Sequence, residues 1–120
     1  MNWFSVLKSG NRPSDIRQRA QRVRAVARPL VYEAVDEFLA NRNEVLKSEL
    51  RNVAEGIVDD LRAHPDLQDL TSGSRGALIK NQTGNFTTMA TYRARELGFI
   101  RQPETGRNKG DSLYRRTGDV

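Results

Sequence analysis

Cysteine is absent from this chain, and histidine occurs once, at His64. Without thiols there can be no disulfide framework and no cysteine metal site, and an intracellular or capsid-enclosed setting fits better than secretion. Nowhere does an apolar run approach the length of a membrane span, so none is expected. The segment from Met1 to Lys8 has too short an apolar stretch for a signal peptide. A cytoplasmic location is therefore expected, with the virion as the alternative. Aromatic residues make up only 7% of the chain and charged ones 29%, which predicts a thin core. The apolar fraction, 37%, is nevertheless too high for wholesale disorder.

Recognisable catalytic constellations are also lacking, and the expectation is that the protein is not an enzyme and uses neither cofactor nor metal. His64, before Pro65 at a helix end, is expected to interact with the last carbonyls of that helix. Glu55 and Asp59, four apart and next to Asp60, read as a solvated helix face rather than a cation site. The segment 106–112 lacks the Gly-Lys-Ser/Thr ending of a phosphate loop.

What is present is basic charge, unevenly placed. The net charge of +5 conceals seven Lys/Arg against one acid in residues 1–30, four against ten in 31–70, and nine against four in 71–120. Two basic ends around an acidic middle predict a polyanion-facing surface built from the early helix and the C-terminal region. At 120 residues the chain has the length of one domain with an appendage. The expected organisation is an apolar arm and Arg-rich helix over 1–29, followed by a compact domain over 30–120.

In the arm, Trp3, Phe4, Val6 and Leu7 precede a helix-averse stretch ending at Pro13. Trp3, Phe4 and Leu7 are candidates for contact with the domain's own core, a second subunit or another protein. From the expected cap Ser14, the apolar residues Ile16, Ala20, Val23, Ala27, Leu30, Ala34 and Phe38 recur at helical spacing. The other faces carry Arg17, Arg19, Arg22, Arg24 and Arg28. Pro29 predicts a kink or a division into two helices. A further helix is expected after Asn43, carrying Leu46, Leu50, Ala54, Ile57 and Leu61; alternatively, an extended Val45-Leu46 precedes a start at Ser48-Glu49. Residues 71–76 read as a loop, and 77–80 allow a turn or two of helix.

The C-terminal third carries most of the information. Phe86, Ala90 and Leu97, with Met89 and Ala94, define the inward face of a helix over 86–97. Its other side presents Thr88, Thr91 and Arg95, with Tyr92 beside them. Small hydroxyls and an arginine permit close approach to phosphates and base edges. Gly98 stands where a left-handed helix end is needed. Then come an extended 99–102, a turn with two glycines, and a second strand over 112–117, which together form a β-hairpin. Arg107 and Lys109 lie at its tip, and Arg115 and Arg116 along the returning strand.

The run Arg-Glu-Leu-Gly-Phe-Ile at 95–100, the basic glycine-containing loop and Leu-Tyr-Arg-Arg-Thr at 113–117 together resemble the winged helix-turn-helix family. They correspond to its recognition helix, first wing strand, wing tip and returning strand. Helices near 30–42 and 44–63 would supply its first two helices, although the interval from Leu61 to Phe86 is longer than that family's turn. The resemblance implies a mainly α fold with a C-terminal β-hairpin, a winged-helix-like domain behind an N-terminal basic helix. It also implies binding of double-stranded DNA, with Thr88, Thr91 and Arg95 facing the groove and Arg107 and Lys109 contacting phosphates or the minor groove. Arg115, Arg116, Arg17 and Arg24 would add electrostatic contacts. The expected role is a regulator of viral or prokaryotic type. The alternative is a structural or assembly component of a bacteriophage particle, such as a virion or neck protein, that uses the same domain for protein contacts.

Overall fold

A computed structural model describes residues 13–70, 78–103 and 110–117. They are mainly helical, with a small antiparallel sheet of three strands. Helix α1 spans Pro13–Leu39 and is followed by strand β1, Glu44–Leu46, and helix α2, Lys47–Gly56. Helix α3, Val58–Ala63, a 3-10 segment over Pro65–Leu70 and a helical turn at 78–81 lead to helix α4, Thr83–Glu96. Strands β2, Phe99–Arg101, and β3, Leu113–Arg116, complete the order.

Helix α1 runs through Pro29, so no division into two helices occurs there. Proline removes the amide that would bond the Ala25 carbonyl. Both residues are exposed, so water can satisfy that carbonyl. Core packing on both sides of Pro29 keeps the helix together: Val23, Ala27, Val31, Val35 and Leu39 form one fully buried row at steps of four. Beyond Pro29 this row replaces the expected Leu30, Ala34 and Phe38, which lie beside it half-buried, and the expected Ile16 is exposed. The helix packs most extensively on α4 and next on α2.

The extended start before α2 is the alternative that the structure adopts. Val45 is buried, and β1 pairs with β3 in the register Glu44↔Arg115, Val45↔Tyr114, Leu46↔Leu113. On its other edge β3 pairs with β2, Phe99↔Arg116 and Arg101↔Tyr114, so the strand order is β1-β3-β2. The hairpin is therefore tied to the start of α2 rather than extending free. Side chains alternate across the sheet. Val45, Phe99 and Tyr114 face the core, while Ile100 and Arg115 face outward.

The interval between Leu61 and Phe86 contributes more to the core than its composition suggested. Leu67, Leu70 and Ile79 are fully buried there. His64 does not bond the preceding carbonyls through its ring: Nδ1 accepts the Asp66 amide at 3.1 Å and so closes the start of the 3-10 segment. Helix α4 begins three residues before the expected Phe86; of its expected inward face Phe86, Met89, Ala90 and Ala94 are buried, with Thr87 beside them, whereas the expected Leu97 caps the helix end and is half-buried. Gly98 takes φ +94°, the left-handed conformation that glycine adopts without steric penalty.

Candidate nucleic-acid interface

The outer side of α4 is built from small and long polar residues because its inner side is occupied by the core. Thr88 is exposed and Thr91 half-buried, and each hydroxyl donates to the carbonyl four residues back, Gly84 at 3.1 Å and Thr87 at 3.0 Å. These bonds orient the hydroxyls along the helix and leave their oxygen lone pairs available. Tyr92 is 56% exposed, and Arg95 lies one turn further along.

Between this side of α4, the start of α2 and the hairpin lies an open groove of about 450 Å³. Thr88, Thr91, Tyr92 and Arg95 form one wall; Lys47, Arg51, Arg101 and Ser112 come from the facing elements. Among the described residues no carboxylate lines it. Lys47 and Arg51 stand four apart on α2 and so share a face. Two of the first amides of α2 are closed by the hairpin base, since the Lys47 amide donates to the Ser112 carbonyl at 2.8 Å and the Ser48 amide to Asp111 Oδ1 at 3.1 Å.

The arginines of this protein divide by partner. Arg93 makes a two-pronged bond to Asp36, at 2.6 and 2.9 Å, beneath the Tyr32 ring. That bond holds the Asp36 carboxyl below its ordinary value against a smaller opposing effect of desolvation, and it raises Arg93 in turn. Arg22 bonds Asp69 and holds that carboxyl low as well. Arg42 pairs with Glu49 at 2.6 Å and covers Phe38. Lys47, Arg51, Arg95 and Arg101 make no ion pair among the described residues, and all four line the groove. Nothing within the described fold neutralises them, so the groove is a concentrated positive site.

Of the residues expected from sequence, Thr88, Thr91 and Arg95 are brought together in this groove. Arg24 lies on the other flank of α4, where it donates to Gln82 Oε1 at 3.1 Å, and Arg17 is exposed on α1. Arg115 sits on the outward face of the sheet against Glu44, at 2.8 Å. Arg116 turns inward: it donates to the Leu39 carbonyl at 2.7 Å and stacks over Phe99, with its Nε buried and without a hydrogen-bond partner among the described residues. Its guanidinium thus closes the end of α1. Arg107, Lys109, Trp3, Phe4 and Leu7 lie outside the described residues.

Lys47, Arg51 and Arg101 were missing from the expected set. The first two sit in the acidic middle of the chain, where summed charge hides them, although their spacing of four on a helix was a visible signal. Arg101 reaches the groove through strand pairing opposite Tyr114, which spacing does not reveal. Among the described residues no group of three or more His, Asp or Glu could hold a metal ion. No helix among them is long and apolar enough to cross a membrane. No family model matches this chain, and neither a curated protein nor a solved structure matches it.

Proposed function

We propose that this protein binds double-stranded DNA through α4, as a small winged-helix regulator of viral or prokaryotic type. The observation that carries the reading is the groove itself: Thr88, Thr91 and Arg95 share one surface with Lys47, Arg51 and Arg101, and no described carboxylate lines it. A helix with its side chains is about as wide as the major groove of B-form DNA, roughly 12 Å, whereas the deep, narrow major groove of A-form RNA excludes it. Threonine hydroxyls and an arginine on the inserted face suit base edges, and the surrounding cations suit phosphates. The family part of this reading rests on the sequence resemblance at 95–117, and a mainly helical chain that ends in the paired strands β2 and β3 is compatible with it.

The test is titration of labelled duplex DNA at two salt concentrations. Every phosphate left without its cation should lower the slope of log affinity against log salt by about 0.9. Lys47→Ala with Arg51→Ala should reduce the slope by about two such steps, and Thr88→Glu should weaken binding by about 1–3 kcal/mol by setting a carboxylate against the phosphates. Absence of duplex binding at low salt, or binding indifferent to all three changes, would show that this surface does not hold DNA.

A further inference from the structure

Helix α4 is flanked on both sides. Opposite the first groove, a second depression of about 590 Å³ lies between α4 and α1. Thr88, Tyr92 and Arg95 line both, so they form a ridge between the two. On the second side the cations are Arg24 and Arg28, one turn apart on α1. Arg28 is exposed and makes no ion pair among the described residues, and the partner of Arg24 is the neutral amide of Gln82. The described acid lining this side is Glu96, which stands 3.6 Å from Arg93, a cation already paired with Asp36, so this side sets two arginines of α1 and Arg95 against one carboxylate.

A ridge with cations on one side only suits a single strand or an acidic peptide. A ridge with cations on both sides suits a helix inserted between the two phosphate backbones that border a major groove. We propose that Arg24 and Arg28 form a second phosphate-binding surface, which grips the DNA strand opposite to the one held by Lys47, Arg51 and Arg101. This rests on the duplex-binding reading and extends it to α1. The long first helix then has a function apart from packing: it orients α4 in the groove by holding the far backbone, while Tyr92 and Arg95 on the ridge point towards the bases.

The full chain, titrated with a duplex two helical turns long, tests the assignment. Arg24→Ala with Arg28→Ala should lower the slope of log affinity against log salt by about 1.8, and Arg28→Ala alone by about half of that. Because Arg24 bonds Gln82, the single Arg28 variant and the thermal midpoint guard against a folding effect. Duplexes carrying uncharged methylphosphonates in one strand or the other provide the strand test. Wild-type protein should lose affinity whichever strand is neutralised, whereas the double variant should respond to one strand only. An unchanged slope, an equal response to both strands, or single-stranded DNA bound as tightly as duplex overturns this assignment while leaving DNA binding by the first groove intact. Failure of the wild-type chain to bind any duplex overturns the DNA reading itself.

Discussion

Asp111 closes the N-terminus of α2 from sixty-three residues away: its Oδ1 accepts the Ser48 amide at 3.1 Å, and its Oδ2 accepts the Ser48 hydroxyl at 2.5 Å. A helix start leaves amides without intrahelical partners, and a carboxylate there also meets the positive end of the helix dipole. The local sequence supplies the complementary half, since Glu49 Oε1 accepts the Leu46 amide at 2.9 Å. The base of the hairpin thus fixes the helix that presents Lys47 and Arg51 to the groove.

Removal of this cap should therefore weaken the fold and the site together. Asp111→Ala is expected to destabilise the protein by about 1–2 kcal/mol, within the range for removal of a helix cap. Asp111→Asn, which keeps one acceptor oxygen, should lose less. Urea denaturation of the three proteins checks the order; equal midpoints would show that the bond contributes nothing.

Arg116 and Arg101 should separate stability from binding. Arg116 holds the Leu39 carbonyl and covers Phe99, so Arg116→Ala should destabilise the protein by about 1–3 kcal/mol and leave the salt slope of DNA binding unchanged. Arg101 lines the groove without an ion pair, so Arg101→Ala should leave stability nearly unchanged and reduce the slope by about 0.9. Thermal unfolding and duplex titration of both variants measure the contrast, and the opposite pattern would reverse the roles assigned to them.

Acid should loosen the contact between α1 and α4. The Arg93 guanidinium lowers the Asp36 carboxyl below its ordinary value, and Arg22 does the same for Asp69. For a group whose folded value is depressed, the stabilisation is complete above the unfolded value, and it fades as pH falls through the folded one. Stability should thus decline from about pH 4 downward. Asp36→Asn should lower the urea midpoint at neutral pH, and the gap from wild type should narrow on acidification. A gap that stays constant with pH would remove Asp36 from the acid response.

Pro29 predicts a gain. Proline inside a helix is about 3 kcal/mol less favourable than alanine, partly offset by its smaller unfolded-state entropy. Its position on α1 is exposed, so Pro29→Ala adds the amide bond to Ala25 without disturbing the core. A net stabilisation of about 1–2 kcal/mol is expected, visible as a higher thermal midpoint. A drop would mean that the ring shapes α1 in a way the packing requires.

Features governed by short-range physics were legible in the chain itself. The inward face of α4 follows from residues three and four apart, the left-handed helix end at Gly98 from the steric freedom of glycine, and the hairpin from two short strands around a polar turn. The short strand before α2 was already an alternative in the pattern of Val45 and Leu46, and its pairing with β3 selected it. Proline chemistry alone suggested a kink or a division at residue 29, and the row from Val23 to Leu39 kept the helix undivided because packing acts along its whole length.

The division of the cations was a tertiary matter. Whether an arginine is neutralised depends on a carboxylate or carbonyl brought to it from far along the chain. Asp36 and Arg93 are 57 residues apart, Glu44 and Arg115 are 71, and Leu39 and Arg116 are 77. Composition registers all of these charges alike. Thr88, Thr91 and Arg95 were readable as one helix face from the sequence, but only the fold placed Lys47, Arg51 and Arg101 on one side of that face and Arg24 and Arg28 on the other. Spacing along a helix determines which residues share a face, and chain packing determines which charges surround it.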